Sequence, residues 1–160
     1  MTLRFGSLRV PTTVHWPRKA TVSLALVLSD ELSPADRWVK RHIVVGLRGV
    51  HPGAVELAVL EWVSEHAPEL GAAGDRLLLA GGARAAKLAL AMRDSDAPSP
   101  WHQLLVRPRF DAAHPMPTNL AGAPPATVVC DSGSDNGHAY AERLRAAAVE
   151  VEEVCDVRRR

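Results

Sequence analysis

Aromatic residues are scarce in this 160-residue chain, with Phe, Trp and Tyr together at 4%. Cysteine is scarcer still. Cys130 and Cys155 are too few for a disulfide scaffold, and no CxxC pair or Cys/His cluster points to zinc. Neither sign of charge dominates: 19 Lys and Arg stand against 18 Asp and Glu, a formal net charge of +1, so nucleic acid is not expected as the main partner. No apolar run is long enough to span a bilayer, and residues 22–28 fall far short of it. Acidic residues are absent from residues 1–29, which carry Arg4, Arg9, Arg18 and Lys19 and so superficially fit a transit peptide. That stretch lacks a small-residue cleavage pattern before Asp30 and Glu31, and it reads instead as an ordinary strand pair opening a domain. With 47% hydrophobic and 23% charged residues, the chain is expected to form one domain over residues 1–160, with 156–160 as a tail. A reducing cytoplasm is the expected compartment.

Residues 9–15 and 21–29 are rich in Val, Leu and Thr and read as strands, with Pro17, Arg18 and Lys19 as the polar turn between them. Ser33 and Pro34 resemble an N-cap and first helical residue, predicting a short helix over 33–42. Another strand is expected at 43–47. Residues 52–66 are the clearest helix, with Val55, Val59, Trp62 and Val63 on one face and Glu56, Glu61 and Glu65 largely off it. Pro68, Gly71 and Gly74 end that helix.

The run at 76–80 fits a strand buried on both faces, and Gly81-Gly82 leads straight into an Ala- and Leu-rich helix over 83–93. Strands follow at 103–106, 126–130 and 149–155, with a helix at 138–148. Residues 107–125 hold five prolines and read as a long connection. Strands alternating with helices imply an α/β architecture, a mostly parallel sheet with helices on both faces.

The stretch RLLLAGGARAAKLALAMRD at 76–94 resembles the strand–elbow–helix of the α/β-hydrolase superfamily, in its hormone-sensitive-lipase-like esterase branch (fold-3). That branch reads G-D-S-A-G-G at the elbow, so Gly81 matches the first glycine, Gly82 takes the Asp position and Ala83 that of the nucleophilic serine. Other stretches are similar in the same order. They are VPTTVHWP at 10–17, HPGAVELAVLEWVSEHAPELG at 51–71, QLLVRPRFD at 103–111, NLAGAPPATVV at 119–129 and GHAYAERLRAAAVEVE at 137–152. The resemblance covers residues 9–155. It implies a reduced α/β-hydrolase-like fold with little or no lid, shortened before Asn119 and at the C-terminus.

Ester hydrolysis in that fold needs a serine on a strained turn, a histidine base, an orienting acid and an oxyanion hole of backbone N–H groups. Ala83 has no oxygen to attack with, and no Ser, Thr or Cys lies between Asp75 and Arg93. Where relatives place H-G-G-G, this chain has Ser29, Asp30, Glu31 and Leu32. Negative charge there opposes a developing oxyanion. The acid falls on Asp131 or Asp135 of DSGSDNG, depending on the anchor. The resemblance places the histidine after the last strand, where this sequence reads VEEVCDVRRR, so no general base is expected.

The resemblance therefore implies a degenerate esterase relative without serine-triad catalysis and without a cofactor. It would bind a small apolar or ester-like ligand around Gly81, Gly82, Ala83 and Arg84, much as plant gibberellin receptors resemble esterases that lost a triad member. Two alternatives stay open: an active carboxylester hydrolase with a nonstandard nucleophile, and a decayed gene product.

Other constellations are weaker. Arg84 and Lys87 at a helix start suit an anion, or simply a solvated turn. The histidines share no metal-ligand spacing and read as surface or capping groups. A trio of Ser132 or Ser134 with Asp135 and His138 lies on one loop, where triad geometry is rarely reached. Trp38 and Trp62 read as core, and the two cysteines as buried thiols. Homodimerisation through an exposed sheet edge is a further expectation.

Overall fold

The computed structural model describes residues 1–19, 21–28, 32–131 and 136–156. Its elements run β1 (Thr2–Phe5), β2 (Leu8–His15), β3 (Leu24–Leu28), β4 (Ile43–Leu47), α1 (Gly53–Leu70), β5 (Leu77–Gly81), α2 (Ala83–Arg93), β6 (His102–Val106), β7 (Ala126–Cys130), α3 (Gly137–Ala146) and β8 (Val151–Cys155). One eight-stranded sheet has the order β1-β2-β4-β3-β5-β6-β7-β8. β1 and β2 form an antiparallel hairpin and β2 pairs antiparallel with β4, while every pair from β4 to β8 is parallel. The α/β class and the mostly parallel sheet agree with expectation.

The central strands are continuous apolar runs because both of their faces are covered. Leu24, Leu26 and Leu28 of β3 face one way, with Ile43, Val45, Leu47, Leu77, Leu79 and Leu105, into a cluster completed by α1, α2 and α3. Ala25, Val27, Val44, Leu78, Ala80, Leu104, Val106 and Val129 face the other way, toward Leu32, Val39 and Trp38. Among the described residues, that second face is therefore covered by the segment 32–42.

That segment corrects the sequence reading: no α-helix forms over 33–42, only successive turns. Ser33 Oγ does accept from the Ala35 N–H, as a cap would. The Asp36 carboxylate then accepts from the Trp38 N–H two residues on, a local bond that competes with helix propagation. The strands expected at 9–15 and 21–29, observed as β2 and β3, are also not a pair with each other, and β2 pairs instead with β1 and β4. β4 lies between β2 and β3, because a crossover to a parallel neighbour leaves β4's other edge free for β2.

The strand at 126–130 and the helix at 83–93 have the expected bounds. α1 runs four residues past its expected end, through Pro68 in its last turn, and stops at Gly71, whose φ of 89° is the left-handed cap that glycine adopts without strain. Its buried residues are Glu56, Val59, Leu60, Val63 and Ala67, whereas Val55 and Trp62 are half-buried. Placing Glu56 off the inner face was therefore wrong. No helix among the described residues is long and apolar enough to cross a membrane.

Candidate functional site

The sharpest turn of the sheet joins β5 to α2. Gly81 is the last residue of β5 and pairs with Leu28 of β3. A Cβ on Gly81 would lie 3.1 Å from the Leu28 carbonyl oxygen and 3.1 Å from the Ala85 Cβ, so close approach of backbones demands glycine here. Gly82 is freer: a Cβ there would meet only Pro108 Cα at 3.9 Å and the Val106 oxygen at 4.0 Å. Ala83 is the first residue of α2 and is 8% exposed. The tip of the elbow thus presents a methyl group, and the whole turn carries no hydroxyl or thiol.

Arg84 points back toward α1. Its Nε donates to Glu56 Oε1 at 2.9 Å, its Nη2 donates to the same oxygen, and its Nη1 donates to the Gly49 carbonyl at 2.8 Å. Glu56 is buried, so its charge is held by this guanidinium and the guanidinium is in turn occupied. An anion at the helix start would compete with Glu56 for Arg84, whereas Lys87 is exposed. Sequence reasoning missed Glu56, although Glu56, Leu60, Val63 and Ala67 recur at i, i+4, i+7 and i+11 and so share a helical stripe.

Beside this pair, α1 and α2 border a cleft of ≈ 390 Å³. Val50, Leu57 and Leu88 supply apolar lining, and His51, Lys87 and His114 supply polar atoms. The size and the mixture suit a small ligand with an apolar body and a hydrogen-bond acceptor.

Asp131 directly follows β7 and is half-buried. β5, β6 and β7 are parallel neighbours, so Asp131 lies at the same end of the sheet as Ala83, two strands across. Asp135 lies outside the described residues, as do Ser132 and Ser134 of the local trio and Ser29, Asp30 and Glu31 of the oxyanion-loop position. His138 lies in the first turn of α3, and its Nδ1 meets Glu153 Oε1 at 2.7 Å. That bond, then the Glu153 charge, raises its pKa above the ordinary histidine value.

The carboxyl end of the sheet holds a further ion-paired trio that sequence spacing does not reveal. Arg107, just after β6, donates from Nη2 to Asp156 Oδ2 at 3.0 Å, and Arg37 donates to Asp156 Oδ1 at 2.6 Å. Arg107 has a φ of 45°, an uncommon backbone state for a residue with a Cβ. The three residues come from separate loops, so only the folded register brings them together.

No protein-family model matches the chain, and no curated protein matches it. Solved structures do. The chain is similar to a hyperthermophilic esterase from the archaeon Pyrobaculum calidifontis, with a TM-score of 0.82 and 18% identity over 98% of this chain and 74% of that one. It is similar to a thermophilic carboxylesterase cloned from a metagenomic library, at 0.79 and 21%, over 99% and 78%. It is also similar to a thermostable esterase from Pseudomonas putida, at 0.77 and 20%, over 97% and 71%. The architecture is therefore the α/β-hydrolase fold of these esterases, of which the chain spans 71–78% of the length.

Proposed function

We propose that this esterase-fold chain does not hydrolyse esters through a serine triad and instead binds a small apolar or ester-like ligand. The observation that carries this reading is Ala83 at the strand–helix elbow, where triad chemistry requires an oxygen nucleophile. Enzymes of this chemistry lose on the order of 10⁶-fold in kcat when that serine alone is removed. The Arg84–Glu56 pair supports the reading, because it stabilises the elbow's first turn without offering a group that attacks. The cleft beside it supplies the ligand site: an apolar body against Val50, Leu57 and Leu88, with its carbonyl or carboxylate accepting from Lys87.

The test compares hydrolysis of a short-acyl p-nitrophenyl ester by the native chain and by Ala83→Ser. A native rate equal to the buffer rate, with a rise in melting temperature on adding the cognate short-chain acid, is expected. Native turnover above the buffer rate overturns the reading, as does a serine or cysteine covalently labelled by a phosphonate ester. Turnover confined to Ala83→Ser shows that the surrounding site is intact and that only the nucleophile is missing.

A further inference from the structure

Three side chains that the elbow does not use converge where α3 meets β8. His138 and Glu142 are one turn apart on α3, so their i,i+4 spacing sets both on one face of the helix. Glu153, at the middle of β8, reaches the same point from the sheet. One donor atom from each of the three lies within 4.8 Å of the others. Glu153 Oε1 is the hub: it meets His138 Nδ1 at 2.7 Å and accepts from the Cys130 thiol at 3.5 Å.

The two carboxylates already share a cation. Arg145 Nη1 donates to Glu142 Oε1 at 2.6 Å and to Glu153 Oε2 at 3.1 Å. Arg145 is well exposed, so a surface ion pair of this kind contributes little and is readily exchanged. A dication in its place would satisfy the same two carboxylates and the imidazole at once.

We infer that His138, Glu142 and Glu153 form a binding site for a divalent transition-metal ion, Zn²⁺ foremost. The imidazole selects the metal class, since Ca²⁺ and Mg²⁺ prefer all-oxygen sites whereas Zn²⁺ takes nitrogen, carboxylate and thiolate donors. Zinc bonds of about 2.0–2.2 Å place the donors of a tetrahedral site ~3.3 Å apart. Small rotamer adjustments within the 4.8 Å cluster reach that spacing. Three protein donors leave a fourth position open to water or to an external ligand. The Cys130 thiol, in contact with Glu153, is the nearest softer donor. Sequence spacing did not show the site, because its third member stands eleven residues beyond Glu142 on another element.

The test is calorimetric titration of the chelator-treated full chain with Zn²⁺ alone, beside His138→Ala, Glu142→Gln and Glu153→Gln. One ion per native chain is expected, weakened at least about tenfold in each variant. Arg145→Gln is expected to bind more tightly. His15→Ala, an exposed histidine elsewhere, is expected to match the native chain. Unfolding curves of all variants confirm that the fold is retained, and the exposed Glu142→Gln keeps the test valid if another variant fails to fold. Absence of native binding at millimolar Zn²⁺ overturns the site. Equal weakening in His15→Ala and His138→Ala also overturns it, since that marks diffuse surface binding. Neither result bears on the elbow reading, whose residues are separate.

Discussion

The guanidinium of Arg84, in the first turn of α2, closes on the buried carboxylate of Glu56 in the first turn of α1. The two residues are 28 positions apart, and their pair pins the start of the elbow helix to the preceding helix. A nearly dry pair of this kind is costly to break from one side, because the other charge stays buried without a partner. Glu56→Ala is expected to lower stability by about 2–3 kcal/mol, at or just below the range for breaking fully buried pairs because Arg84 retains some exposure. The double variant Glu56→Leu with Arg84→Leu should recover most of that loss. Chemical denaturation midpoints of the three chains check it, and a double variant as weak as the single one would contradict it.

Tyr140 is fully buried and packs against Phe110, with ring centroids 4.8 Å apart. Its hydroxyl has no hydrogen-bond partner among the described residues, and burial pushes its pKa up to about 12. An unmet buried hydroxyl costs about 1–3 kcal/mol. Tyr140→Phe is therefore expected to stabilise the chain by about 1 kcal/mol, read as a higher melting temperature. A drop on substitution would show that the hydroxyl has a partner.

Backbone crowding predicts a different response at the elbow. Gly81→Ala places a methyl carbon 3.1 Å from both the Leu28 oxygen and the Ala85 side chain. Overpacking of this kind costs about 1–3 kcal/mol, whereas Gly82→Ala should be milder because its contacts start at 3.9 Å. Paired thermal unfolding curves distinguish the two positions.

Histidine burial determines how stability responds to acid. His102, hydrogen-bonded from Nε2 to Thr127 Oγ1 at 2.8 Å, and His42 are both held below the ordinary value of 6.5 by burial. The unfolded chain then binds more protons than the folded one in the window below 6.5, so these two residues make stability fall as pH drops through it. His138 acts with the opposite sign. Its raised pKa contributes stability that is present below 6.5 and lost as pH rises through the folded value. Glu153 is pushed up by burial but more strongly down by hydrogen bonds from His138, Arg145 and Cys130, so its share is lost only as pH falls through its lowered, folded value. Denaturation midpoints on either side of 6.5 should show a shallower acid-side loss in His102→Asn and a steeper one in His138→Ala.

The elements that local chemistry dictates were legible in the chain. Short apolar runs at 77–81 and 126–130, bounded by glycine or proline and too brief for a buried helix, are strands, and Gly81-Gly82 marks the turn because backbones approach closely at Gly81. The empty elbow was legible too, since Ala83 lacks a nucleophile in any conformation. The 33–42 segment was not. Its cap signals are real, but Asp36 bonds to its own neighbour and ends the helix before it propagates.

By itself, then, the sequence determined the α/β class, most strands and helices, and the absence of a hydroxyl or thiol at the elbow. Each follows from contacts within a few residues. Only the tertiary structure decided that Glu56 faces Arg84, that Asp156 holds Arg37 and Arg107, and that Glu153 meets His138. Those pairings span 15 to 119 residues, and they exist because parallel registry and helix packing bring side chains from distant elements together.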